Sequence, residues 1–256
     1  MFYFEKINEK NILKSDFIKE AQAFFTTRDL CICDKGINNV PHPDPLPQVG
    51  EGIISKNKKL IANYLKISQK NLIFPEQTHS ANINIVQETQ FEYPNCDALI
   101  LTKKDIAIFL NFADCTPIIL YDKAQNIGGI AHAGWRGTAQ KITQLTALKL
   151  ISNFNSKPEN ICAIIGPAIG FCCYNVGEDV YEKLSKTVDN FDGLFEIRNG
   201  EIFVDLKGIN KRQLEEIGIK NIDVCRYCTV HNNDKFFSYR NENGTGLRHS
   251  AVLKLG

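Results

Sequence analysis

The sequence has no long apolar run, no charge imbalance and few of the histidines and tryptophans that often mark cofactor sites. Lys and Arg total 30 against 29 Asp and Glu, so no overall field draws the chain to nucleic acid or an anionic membrane. Any anion it binds must be held locally. The best apolar stretch, Ile106 to Ala113, falls far short of the roughly 20 residues that cross a bilayer, and Asp114 follows it directly. Met1 to Lys10 mixes charges with aromatics and lacks the basic-then-apolar order of a secretion signal. Together these absences lead us to expect a soluble, cytoplasmic protein.

Cysteine is abundant, with nine residues, but they are scattered along 256 residues rather than concentrated in a small scaffold. Reduced thiols are expected. Cys31, Cys33, Cys96 and Cys162 lie in apolar surroundings, where cysteine behaves as a small hydrophobe. A hydrophobic content of 43% supports a substantial core, and we expect one domain over residues 1–256. Pro41, Pro43, Pro45 and Pro47 break the pattern, so about 40–52 reads as an exposed loop insertion, with His42 a solvated loop residue.

Periodicity predicts helices over Asp16–Phe25, Ser55–Leu65, a segment opening near Gly137 and Thr138 and running through Ile142 and Ile151, Asp179–Val188 and Asp205–Ile217. Short apolar runs predict strands at Leu30–Cys33, Leu72–Phe74, Ile83–Val86, Ile106–Phe112, Pro117–Tyr121, Ile127–Ala131, Ile161–Ile165 and Ile202–Val204. No tandem repeat is evident. The mixture indicates an α+β fold, a layered domain of mixed β-sheets flanked by helices.

Polar chemistry sits at the strand junctions. His79 lies in Gln77-Thr78-His79-Ser80, where, taken alone, a histidine satisfied by turn hydrogen bonds is commoner than a ligand. Asp114 and Cys115 adjoin between two strongly apolar runs, and a buried carboxylate there requires a donor, cation or metal. His132-Ala133-Gly134-Trp135-Arg136-Gly137 joins a strand to a helix. Its glycines allow close backbone approach, and the helix start with Arg136 suits phosphate. Two imidazoles and a thiolate form a reasonable zinc set, although their separations match no standard local zinc motif.

These segments resemble the YfiH-like proteins, also called the laccase-domain or polyphenol-oxidase family and also assigned as purine nucleoside phosphorylases. The resemblance rests on Gln77–Ser80, Cys96-Asp97-Ala98-Leu99-Ile100, Ala113–Pro117, Ala131–Thr138, Ile165-Gly166-Pro167-Ala168-Ile169-Gly170, Cys228-Thr229 and Phe237-Ser238-Tyr239-Arg240. It implies Zn2+ at His79, Cys115 and His132, with copper as the alternative metal of older descriptions. It also implies purine nucleosides (adenosine, inosine, guanosine, methylthioadenosine) and phosphate as substrates, adenosine deamination as a further activity, and for some members a link to peptidoglycan editing. Asp114 is then a candidate proton carrier, and Arg136 and Arg240 are candidate phosphate ligands. Trp135 or Tyr239 would stack on the base.

Three positions depart from the family pattern. Lys58 replaces an arginine, Asn241 follows Arg240 in place of a second arginine, and Leu247 separates Gly246 from Arg248. Two other chemistries use the same residues. Cys115 activated by His132 or His79 would be the nucleophile of a thiol hydrolase or amidase. A binding protein would close the metal site with a thiol from Cys172, Cys173, Cys225 or Cys228. A multicopper oxidase would need many more than the five histidines present.

Overall fold

Strand periodicity is the first thing the structure, a computed structural model, explains; it describes residues 1–33, 51–86 and 93–256. The proline-rich insertion and His42 lie outside the described residues. In chain order come β1 (Phe2–Ile7), β2 (Lys10–Ser15), β3 (Gln22–Thr26), α1 (Glu51–Tyr64), β4 (Leu72–Ile73), β5 (Ile83–Val86) and β6 (Ala98–Leu101). β7 (Ala107–Phe112), β8 (Thr116–Asp122), β9 (Ile127–Ala133), α2 (Trp135–Ala139), α3 (Ile142–Phe154) and β10 (Ile161–Ile165) follow. The remainder holds β11 (Asn175–Val176), α4 (Glu178–Ser185), β12 (Phe195–Arg198), β13 (Glu201–Val204), α5 (Leu206–Glu216), β14 (Asn221–Val224) and β15 (His249–Lys254).

Two mixed six-stranded sheets, ordered β1-β2-β3-β15-β7-β4 and β14-β10-β8-β9-β6-β5, form the body, and β11-β13-β12 make a small third sheet. Side chains alternate across each strand, and the central strands β7, β8 and β9 are covered on both faces. In β7, Ile108 and Leu110 enter a core shared with Ile119 and Ile130 of the second sheet, while Ala107 and Phe109 face Ile61 of α1 and Leu65 just after it. In β8, Ile118 and Leu120 face Ala147 and Leu150 of α3 and Leu214 of α5. The layers therefore run helix, sheet, sheet, helices. Two-sided burial is why these strands read as unbroken apolar runs.

The same burial overturns two expectations. Asp16–Phe25 is not a helix: residues 16–21 form a turn, and Gln22–Thr26 is β3. Phe24 packs toward α1 and Phe25 into the inter-sheet core, so adjacent aromatics are buried on opposite faces, which only a strand permits. Leu30–Cys33 is not a strand either. Arg28–Leu30 makes a short 3-10 turn, and Cys31 and Cys33 project into a small cluster with Ala113, Phe237 and Leu247. The helix expected from Gly137 onward is interrupted. Lys141, at φ 59°, breaks it between α2 and α3. No helix among the described residues is long and apolar enough to cross a membrane.

Candidate metal centre

Strand register assembles the site. β8 and β9 pair with Thr116 opposite Ala133, so Cys115, one residue before β8, falls beside Gly134, one residue after β9. β6 pairs with β9 with Ala98 opposite Ala131, which sets Asp97 against His132; the His132 backbone N–H donates to the Asp97 carbonyl at 2.8 Å. The loop entering β5 brings His79, held at φ 62°. Thus His79, Cys115 and His132 converge at one end of the second sheet, with one donor atom from each lying within 4.8 Å of the others.

Cys115 Sγ is 3.8 Å from His79 Nε2, and the two imidazole centroids are 4.8 Å apart. Such separations suit donors converging on one tetrahedral ion. Gly134 is required beside them, because a Cβ there would come within 2.9 Å of Cys115 Sγ and 3.2 Å of His79 Cδ2. No fourth Cys, His, Asp or Glu joins the group among the described residues. His79 is exposed, Cys115 half-buried and His132 buried, so the set opens to solvent on one side. The nitrogen and sulfur donors, their spacing and the glycine cradle all fit a zinc or copper ion.

Asp97 organises the cluster. Its buried carboxylate accepts from His132 Nδ1 at 2.8 Å, from the backbone N–H groups of Thr78, His79 and Ser80 at 3.1, 3.1 and 2.7 Å, and from Ser80 Oγ at 2.8 Å. One carboxylate therefore fixes the loop carrying His79 and orients His132 with Nε2 directed away from Asp97. Burial alone would push the Asp97 carboxyl up, but the hydrogen bond and charge of His132 and the Ser80 contacts hold it well below the ordinary carboxylate range. Burial also opposes charge on the other two groups. Even so, the His132 charge and hydrogen bonds from His132 and His79 bring the Cys115 thiol down to about 6. Burial pushes His132 down, but Cys115 and Asp97 raise it to about 9. Without a metal, the protein groups favour a thiolate beside an imidazolium.

A cavity of about 600 Å³ opens over these side chains, and its lining includes Asp114, Arg136, Tyr174, Tyr239, Arg240 and Arg248. Asp114, at φ 82°, accepts from Thr229 Oγ1 at 2.5 Å and from the Arg240 backbone N–H at 2.7 Å. The compensation demanded by its burial is thus supplied by neutral donors. Arg136 lies over the Trp135 ring, 4.3 Å from its centroid. The Arg240 guanidinium donates to the Asn175 side chain and, at 3.2 Å, to its carbonyl. Tyr239 is 55% exposed on the cavity rim, whereas Trp135 packs against the cluster formed by α4, α5 and the small sheet. Of the two aromatics, Tyr239 faces the opening.

Two departures from the family pattern acquire positions here. Leu247 turns into the apolar cluster with Cys31 and Phe237, and Arg248 lines the cavity, donating to the Thr245 and Leu247 carbonyls at 2.5 and 2.7 Å. Lys58 Nζ lies 4.7 Å from the Phe74 ring centroid and is not among the cavity-lining residues. Asp97, Tyr174 and Arg248 were not read as site residues from the sequence. Asp97 was open to discovery, since it abuts the wholly apolar Ala98–Leu101 and poses the same burial problem as Asp114.

Fold and side chains together define a layered α+β protein with an open His2Cys cluster at the end of one sheet, beneath a cationic cavity. The chain belongs to the family described as multi-copper polyphenol oxidoreductase laccase, whose profile matches residues 49–255. The purine nucleoside phosphorylase YlmD of Geobacillus stearothermophilus is 33% identical over 213 residues, covering 78% of each chain. Adenosine deaminase RL5, from an unknown prokaryotic organism, is 29% identical over 246 residues, 89% of this chain and 92% of that one. Among solved structures, the YfiH protein of Bacillus licheniformis superposes with a TM-score of 0.86 at 30% identity over 99% of both chains.

Proposed function

We propose that this protein is a zinc-dependent purine nucleoside phosphorylase that also deaminates adenosine, with His79, Cys115 and His132 as the metal ligands. The observation that carries the reading is the convergence of three metal-ligand side chains with no fourth among the described residues, under a cavity lined by Arg136, Arg240 and Arg248. Relatives named purine nucleoside phosphorylase and adenosine deaminase support the two activities. A copper-dependent phenol oxidase is disfavoured because a multicopper centre would need many more than five histidines.

When bound, zinc would supply Lewis acidity beside the reacting purine nucleoside. The protein groups do the rest. Asp97 holds the His132 ring so that Nε2 is free to ligate. Arg136 and Arg248 offer fixed positive charge for phosphate, and Arg240, tied to Asn175, lends its charge to the same wall. Tyr239 presents an exposed ring on which a purine can stack. Asp114 lines the cavity with one bond accepted on each oxygen, from Thr229 and from the Arg240 N–H, and the remaining lone pairs leave it able to carry a proton.

Adenosine incubated with and without phosphate separates the two activities by product. Phosphate-dependent adenine marks phosphorolysis, and inosine without phosphate marks deamination; both are expected to vanish in His79→Ala. One observation favours a second reading. The Cys115 thiol lowered to about 6 beside a raised His132 is the ion pair of a thiol hydrolase. That reading predicts turnover that survives exhaustive chelation and is abolished by a thiol alkylator, whereas the zinc reading predicts loss on chelation and protection of Cys115 by bound metal.

A further inference from the structure

A second group of metal-ligand side chains lies outside the cavity. Cys172, Cys173, Cys228 and His231 each offer one donor atom within 4.8 Å of the others. Cys172 Sγ is 3.5 Å from His231 Nδ1, and Cys173 Sγ is 3.4 Å from His231 Nε2. Two chain segments meet here. One is the turn following Gly170, where the Cys173 and Tyr174 N–H groups donate to the Gly170 carbonyl at 2.9 and 3.0 Å. The other is the turn after Cys228, whose carbonyl accepts from the Asn232 N–H and side-chain amide, both at 2.9 Å.

We infer that these four residues form a second metal site, a closed Cys3His set for zinc or another thiophilic divalent cation, separate from the His79 centre. Three thiolates and one imidazole fill a tetrahedral shell without water, which is the composition of a structural rather than a catalytic zinc site. The surroundings are built for sulfur. The Gly170 N–H donates to Cys228 Sγ at 3.2 Å, and a Cβ on Gly170 would crowd Cys172 Sγ and Cys228 Sγ at 3.1 and 3.3 Å. Supporting donors of this kind orient metal ligands and offset their negative charge. Cys228 is buried, while Cys172 and His231 are exposed, so a cation has a path from solvent.

The site's position gives it a task. Residue 228 is bridged to Ala168, the Thr229 N–H donates to the Ala168 carbonyl at 3.1 Å, and the Ile169 N–H donates to the Asp114 carbonyl at 2.9 Å. Thr229 also holds the Asp114 carboxylate, and Tyr174, next to Cys173, lines the cavity. A metal clamping Cys172 and Cys173 to Cys228 and His231 would therefore fix the part of the cavity wall that Asp114 and Tyr174 form.

Zinc content measured on protein prepared under reductant, with Co2+ as an optical probe, tests this directly. Wild type is expected to carry about two equivalents of zinc, and both Cys115→Ala and the double variant Cys172→Ser, His231→Gln about one each. With cobalt, the Cys115→Ala protein should show about three times the sulfur charge-transfer absorbance of the double variant, three thiolates against one. A folded Cys115→Ala protein that binds no metal, or a double variant with undiminished zinc, would overturn the inference. Because the second site is read in the Cys115→Ala background, its failure and failure of the first centre are distinguishable.

Discussion

Asp97 lends two functions to one carboxylate, holding the His79 loop through backbone N–H groups and fixing the His132 ring. Asp97→Asn keeps the shape but loses the charge and gains a donor where an acceptor is needed. Zinc affinity at the His79 centre, read by competition with a chelating dye, should fall about 10- to 100-fold. Proton competition at the same ligands has a definite sign. With His132 raised to about 9 and Cys115 lowered to about 6, the metal-free pair at pH 7 holds one proton that zinc must displace, and that proton is on His132. Affinity should therefore rise about tenfold per pH unit from 7 toward 9 and level off above, and below 6 it should fall more steeply as Cys115 also protonates. Zinc titrations in buffers of several pH values measure the slope. Arg136→Ala removes a charged donor from the phosphate side only. The phosphate KM should rise about 10- to 100-fold, with phosphate-independent deamination unchanged; an unaltered phosphate KM would remove Arg136 from this role.

At the scale of elements, the site depends on how closely the two sheets approach. Gly166, just after β10, hydrogen-bonds to the Pro117 carbonyl at 2.8 Å and faces Phe25 of the other sheet; a Cβ there would lie 2.3 Å from the Phe25 ring and 2.8 Å from Pro117 Cγ. The buried ring has no room to yield. Gly166→Ala should cost about 1–3 kcal/mol of stability through overpacking, read as a lower urea midpoint. Elements with a polar face or a local cap were legible in the sequence. α5 was expected to span Asp205–Ile217 and is capped by Asp205, whose carboxylate accepts from the Gly208 N–H at 3.0 Å. Strands buried on both faces, such as β8 and β10, were legible as short apolar runs, whereas β3 was not, because Phe24 with Phe17 and Ala21 imitates a helical stripe while Phe24 and Phe25 belong to opposite cores.

For the whole molecule, the layered arrangement gathers residues distant in the chain at one end of the second sheet. His79, Cys115 and His132 were legible because each stands at a strand junction among residues that resemble a known family. Their mutual contact follows from the β6-β9-β8 register, which sets Cys115 and Asp97 beside the His132 strand, and from Asp97 holding the His79 loop; no local pattern reveals either. The cavity's third arginine, Arg248, was hidden because the one-residue shift introduced by Leu247 is absorbed in a cluster formed only on folding. The burial of Asp97 beside an apolar strand was legible, but its partner was not, because His132 lies on a strand that reaches it only through sheet pairing.

Zinc dependence of catalysis can be read from the rate of adenosine phosphorolysis as zinc is titrated back into metal-stripped protein, with bound zinc per chain measured at each point and Cys115→Ser run in parallel. No turnover is expected without metal, with a rate that rises in proportion to occupancy of the His79 centre and no recovery in Cys115→Ser at any zinc level. Phosphate-dependent turnover by the metal-free protein, or none at full zinc loading, would contradict that dependence.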